Sequence, residues 1–249
     1  MEKIYTKRFR VHTYEVDFRA KALPLSLLNY LQDAAGEHAD ALGFSLLELL
    51  KKKQTWLLSR YHLKVFRYPV IGEELTVSTW PSGTRGVFAL RDYEMWDEKG
   101  GPVAAATSSW VLWNLAEKQP SRLDGRWAEE FVLDQRAVSD PFATLPSLES
   151  PERELAFRVE MHDIDINSHV NYAVYIRWAL ESVPEKILRS HAPSEIEVAY
   201  RAEAFYGDEV LSRSGRAEGE PRPVFRHAVF HKEKGTELAR LTTAWAPFM

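Results

Sequence analysis

A chain of 249 residues, 45% hydrophobic and 27% charged, has the balance of a folded globular protein, with length for one large core or two modest ones. Its net charge of −4 argues against a general nucleic-acid binder, and the absence of cysteine excludes disulfides, thiolate metal sites and any thiol nucleophile. No run approaches the roughly 18 apolar residues that span a bilayer, and Met1-Glu2-Lys3-Ile4-Tyr5-Thr6-Lys7 holds no apolar signal core, so a soluble cytoplasmic protein with no membrane partner is expected.

A short strand around Phe9-Arg10-Val11 opens the chain. Pro24 then starts a helix in which Leu27, Leu28, Leu31, Ala34, Ala35, Ala39 and Leu42 share one face, opposite Asn29, Gln32, Asp33, Glu37 and Asp40; Gly43 is placed to stop it. Tyr61, Leu63 and Val65 alternate with Arg60, His62 and Lys64, the beat of a half-buried antiparallel strand. Strands are expected over Leu75 to Trp80, Val87 to Trp96 and Val103 to Leu115, with a turn at Glu98-Lys99-Gly100-Gly101-Pro102. Residues 134 to 154 hold Pro141, Pro146 and Pro151 among Ser, Asp and Glu, which reads as an interdomain crossing.

The order then begins again. Phe157-Arg158-Val159 matches Phe9-Arg10-Val11 at an offset of 148 residues, and Asp165 stands at that offset from Asp17. Residues 170 to 180 have only Asn171 and Arg177 as strongly polar members, so this helix has to be enclosed on most sides. Ile196, Val198 and Tyr200 repeat the alternating strand, and Glu209 to Gly215, Val224 to Lys232 and Leu238 to Trp245 follow, with a turn at Glu233-Lys234-Gly235. Three separated blocks agree on one offset of 135 residues: Gly72-Glu73-Glu74-Leu75 with Gly207-Asp208-Glu209-Val210, Glu98-Lys99-Gly100 with Glu233-Lys234-Gly235, and Thr107 through Trp110 with Thr242 through Trp245. The offset changes by 13 across the helical segment, which a longer helix and following loop in the first copy absorb. The expected architecture is α+β, a long antiparallel sheet curled around a central helix, made twice: residues 1–133, a linker at 134–154, and residues 155–249.

Asp165, Asn167 and His169 put three polar side chains at every second position just before the second helix. In the first copy those places hold Asp17, Arg19 and Lys21. Packing needs should recur in both copies, so Asn167 and His169 point to chemistry, whereas the shared aspartate fits a fold-level turn as well as a catalytic role. Helix capping by Asn167 or Ser168 is the structural alternative.

The segment Asp163-Ile164-Asp165-Ile166-Asn167-Ser168-His169-Val170-Asn171, with Tyr175-Ile176-Arg177-Trp178 and Leu180-Glu181-Ser182 after it, resembles the catalytic segment of acyl-acyl carrier protein thioesterases, whose fold is a double hot dog. Val198-Ala199-Tyr200-Arg201-Ala202-Glu203-Ala204 resembles that family's second catalytic segment, and the first half is similar to the family through Arg67-Tyr68-Pro69 with Gly72 and through Ser108-Ser109-Trp110-Val111 with Asn114. The resemblance implies hydrolysis of a fatty acyl thioester carried by acyl carrier protein, with no metal or organic cofactor. The family's second segment commonly ends Glu-Cys; here Ala204 stands at the cysteine place, so a thiolate mechanism is closed and Glu203 has to act, as general base on water or as direct nucleophile. The place of Glu203 in the first copy is held by Tyr68, so the acid is not required by the fold.

In this frame His169 holds the water or the carboxylate, Asn167 orients substrate or water, and Asp165 orders one of them from behind. Backbone N–H groups of His169 and Val170, at the expected helix start, are the candidate oxyanion donors. The other histidines, His12, His38, His62, His162, His191, His227 and His231, show no metal-ligand spacing and are expected in structural or surface roles. Lys51-Lys52-Lys53 is a solvated charge run or a meeting point for an acidic carrier, and the first copy is expected to contribute the acyl-chain pocket. An acyl-CoA thioesterase and a non-catalytic acyl-binding protein are the alternatives. With two units in one chain, a monomer is feasible beside a homodimer.

Overall fold

The computed structural model describes residues 2–123, 127–217 and 220–248. It divides into two compact units, Met1–Pro141 and Phe142–Met249. In the first, β1 (Tyr5–Arg10) leads through a single helical turn to α1 (Pro24–Ala41) and α2 (Leu46–Lys51), followed by β2 (Gln54–Val65), β3 (Glu74–Arg85), β4 (Phe88–Asp97), β5 (Pro102–Asn114) and the two-residue β6 (Gln119–Pro120). In the second, β7 (Arg153–Arg158) leads to α3 (Tyr172–Glu181) and α4 (Glu185–Leu188), followed by β8 (His191–Tyr200), β9 (Glu209–Arg216), β10 (Val224–His231) and β11 (Glu237–Pro247). Within the first unit the strands pair antiparallel in the order β1-β3-β4-β5-β2, and within the second in the order β7-β9-β10-β11-β8. Each unit is thus the expected antiparallel sheet packed on its own helix.

The two offsets read from the sequence govern the elements. β1 and β7 lie 148 residues apart, as do the first residues of α1 and α3, while the first residues of β3 and β9, and of β5 and β11, lie 135 apart. The change of offset resides largely in the helix, 18 residues in α1 against 10 in α3. Two short helices, α2 and α4, were not expected; α2 fits its place because Ser45 caps it, accepting the Glu48 N–H.

α1 begins at Pro24, whose missing N–H costs nothing in the first turn, and ends where Gly43 takes φ +79. Leu27, Leu28, Leu31, Ala34 and Ala35 are buried along one stripe and Asn29, Asp33, Glu37 and Asp40 face outward, as the periodicity requires. α3 is buried nearly all round, with Ala173 to Ile176 and Trp178 to Leu180 inside and Arg177 exposed. β7, β9, β10 and β11 all pack against it. Burying each such large side chain is worth roughly 1.5–3 kcal/mol. No helix among the described residues is long and apolar enough to cross a membrane.

The segment read as an interdomain crossing is partly absorbed by the units themselves. The Ala137 N–H donates to buried Asp92 at 2.8 Å, the Trp80 indole donates to the Gln135 carbonyl at 2.8 Å, and Arg153 and Glu154 already belong to β7.

His227 is fully buried, its Nε2 2.8 Å from Thr243 Oγ1, and burial lowers its pKa to about 3. Unfolded histidine takes up its proton near pH 6.5, so between the two values the unfolded chain binds more protons than the folded one. Stability is therefore complete above about pH 6.5 and falls as the pH drops below it, by up to about 1.4 kcal/mol per pH unit for this residue. Thermal melts from pH 8 to pH 5 are expected to show this decline, and His227→Gln to lessen it by this residue's share, since His38, whose pKa burial lowers to about 4, adds a loss of the same sign.

Candidate active site

The polar run before α3 is a tight loop closed by its own first residue. The Asp165 carboxylate accepts the Asn167 N–H at 2.8 Å, the Asp165 N–H donates to the His169 carbonyl at 2.8 Å, and the Ser168 N–H donates to the Asp165 carbonyl at 3.0 Å. Ser168 takes φ +65 to make the turn. The first unit builds the same loop: the Arg19 N–H donates to Asp17 at 2.8 Å, the Asp17 N–H to the Lys21 carbonyl at 2.8 Å, and Ala20 takes φ +58. The Asp165 side chain therefore serves the turn in both copies.

Alternation along this loop and the chain after it brings two of the singled-out side chains together. His169 Nδ1 lies 3.1 Å from Glu203 Oε1, with 32% and 45% of the two side chains exposed. The pair is open to a substrate. Phe205 packs edge-on against the His169 ring, centroids 5.1 Å apart at 89°, and holds the imidazole from the side. Among the described residues the Asn167 side-chain amide meets no protein hydrogen-bond partner, so its donor and acceptor remain for water or substrate. Ile166, Phe205 and Tyr206 are exposed apolar residues on the same two segments.

Two expectations need correction. The helix starts at Tyr172, capped by Asn171, whose side chain accepts the Ala173 N–H at 2.9 Å. Neither Asn167 nor Ser168 is the cap. His169 and Val170 thus precede the helix and are not part of its first turn. The Val170 N–H is also not free: it donates to the Ala204 carbonyl at 3.0 Å, as the Ala22 N–H does to the Pro69 carbonyl at 2.8 Å. The bond that joins this loop to the segment after β8 consumes it. The His169 N–H, in contrast, has no protein acceptor among the described residues and is the remaining candidate oxyanion donor.

Sequence reasoning passed over Tyr175. Its hydroxyl accepts the Ala204 N–H at 2.9 Å from within the core. Burial, with the negative charges of Glu203, Asp165 and Asp208 adding to it, pushes the phenol pKa well up, so the hydroxyl keeps its proton. The signal was present in the internal copy, where the same helix position is Leu27. Asp163, the first residue of the motif, ties the loop to α3 through Arg177 at 2.7 Å.

Two hot-dog units in one chain define a tandem hot-dog protein, and the second unit sets the Glu203 carboxylate beside His169, with the Asn167 amide unengaged among the described residues. Residues 2–131 match the acyl-ACP thioesterase N-terminal domain and residues 147–247 the acyl-ACP thioesterase C-terminal domain. The chain belongs to the acyl-ACP thioesterase family. It is 27% identical to the chloroplastic oleoyl-acyl carrier protein thioesterase 1 of Arabidopsis thaliana, across 97% of this chain and 75% of that protein. Among solved structures, the 12:0-ACP thioesterase of Umbellularia californica matches with a TM-score of 0.89 at 27% identity, covering 98% of this chain and 94% of that one. An acyl-ACP thioesterase from Bacteroides thetaiotaomicron matches with a TM-score of 0.86 at 27% identity, covering 98% of each chain.

Proposed function

We propose that this protein hydrolyses the thioester of fatty acyl groups carried on acyl carrier protein, releasing free fatty acid and ending chain elongation. The observation that carries the reading is the approach of His169 to Glu203, whose places in the first unit are held by Lys21 and Tyr68. In the reaction, Glu203 takes a proton from water as that water attacks the carbonyl carbon, or attacks the carbon itself to give an anhydride that water then opens. The C–S bond breaks and the leaving thiolate is protonated. His169 holds the water or carboxylate, Asn167 orients the substrate, and the His169 N–H faces the developing oxyanion. Asp165 shapes the loop that carries both.

We assign the acyl-chain pocket to the first unit, which lacks the polar set and carries an aromatic cluster around Phe44, Trp56, Trp110, Trp127 and Phe131. The cytoplasmic location belongs to the same reading.

The test is release of free thiol from acyl carriers of graded chain length and from the matching acyl-CoAs. Carrier substrates are expected to turn over faster than acyl-CoA of the same chain length. Comparable turnover of both would favour an acyl-CoA thioesterase. Saturable acyl binding with no thiol release from either would overturn hydrolysis.

A further inference from the structure

Ala204 makes two backbone hydrogen bonds of different kinds. Its carbonyl accepts the Val170 N–H, and the first unit keeps that bond between Ala22 and Pro69. Its N–H donates to the Tyr175 hydroxyl at 2.9 Å, and the first unit has no counterpart. Both halves of the second bond are missing there: Leu27 replaces the phenol and Pro69, which has no N–H, replaces Ala204. Leu27 is fully buried, so the fold accepts an apolar side chain at this helix position.

The loss coincides with the loss of the site. The places of Asn167, His169 and Glu203 are held in the first unit by Arg19, Lys21 and Tyr68. A hydrogen bond needed only to hold the segment after β8 in place would be kept in both units, as the Val170 bond is. The Tyr175 bond follows the reactive side chains instead, and it grips the residue directly after Glu203.

We propose that Tyr175 is a positioning residue: its buried hydroxyl anchors the Ala204 N–H and so fixes the backbone that presents the Glu203 carboxylate to His169. The proposal rests on the reading above, in which Glu203 acts on water or on the thioester. Its physical basis is that a hydrolytic carboxylate has to be held within a fraction of an ångström, and a misplacement of about 1 Å costs on the order of 10²-fold in rate. Glu203 is half-exposed on an irregular segment after β8, so neighbouring packing alone restrains it weakly. Tyr175, in the enclosed helix, is a rigid post.

Tyr175→Phe removes the hydroxyl and keeps the ring. Ala204→Pro removes the N–H from the other side and installs the residue that the first unit carries. Both variants, their combination and Glu203→Gln are to be assayed for thiol release from acyl carrier protein. Each of the first two is expected to lower kcat by roughly 10- to 100-fold with KM within about 2-fold of wild type. The combination is expected to be no slower than the worse single variant, because one bond is removed either way.

Wild-type kcat in Tyr175→Phe beside an inactive Glu203→Gln overturns the proposal and leaves the role of Glu203 standing. Wild-type kcat in Glu203→Gln overturns the reading of the site, and the proposal with it. A rise in KM at unchanged kcat, or fully additive losses in the combination, also overturns the positioning role. If Tyr175→Phe does not fold, Ala204→Pro decides alone: wild-type kcat there overturns the proposal, and a lower kcat at unchanged KM supports it.

Discussion

Glu203→Gln is expected to reduce thiol release from acyl carrier protein by roughly 10²- to 10⁴-fold, the usual size of an acid-base contribution. Glutamine keeps the shape of the side chain and removes its basicity and its charge. General-base attack by water and direct attack by the carboxylate both need that charge, so the variant fails in either case. With no cysteine in the chain, no thiol can take over. Circular dichroism and the melting temperature are expected to stay near wild type, because the side chain is 45% exposed and the first unit folds with Tyr68 in its place. A Glu203→Gln protein that hydrolyses at the wild-type rate would remove the carboxylate from the mechanism.

His169→Ala and Asn167→Ala are each expected to lose at least about 10²-fold in kcat with the fold retained. Without the imidazole, the Glu203 carboxylate loses the group 3.1 Å away that holds it or its water. Without the Asn167 amide, substrate loses a side chain that makes no hydrogen bond to the protein among the described residues. Retention of the fold follows from the cap: Asn171 closes the helix and Asp165 closes the loop through backbone N–H groups, and neither needs Asn167 or His169 side-chain atoms. Loss of secondary structure in either variant, measured by circular dichroism, would make these residues structural and sink the assignment.

Much of the fold was legible because its signals are local or copied. The 3.6-residue stripe of α1 and the nearly unbroken apolar run of α3 are statements about burial that a sequence makes directly. The repeat then set both sheets, since matched turns at Gly72 and Gly207 have φ +82 and +87, and those at Gly100 and Gly235 have φ +77 and +62. The short helices α2 and α4 were missed because six and four residues are too few to display a period.

The site was legible only as far as side-chain identity reaches. The resemblance of Val198 to Ala204 to the family's second catalytic segment pointed to Glu203, and the absence of cysteine, with the contrast between Asn167, His169 and Glu203 and their counterparts Arg19, Lys21 and Tyr68, directed the proposed chemistry to a carboxylate beside a histidine before any coordinates. Backbone engagement is a different matter. Whether an N–H is free depends on which strand or loop lies opposite, and that partner is distant in the chain. Val170 lost its N–H to the Ala204 carbonyl, His169 kept its own, and the cap fell on Asn171. The Tyr175 hydroxyl likewise gained meaning only once the core placed it against Ala204. Composition, periodicity and internal duplication are properties of the chain taken along its length. Hydrogen-bond partners, and the distance from His169 to Glu203, arise from folding that length back on itself.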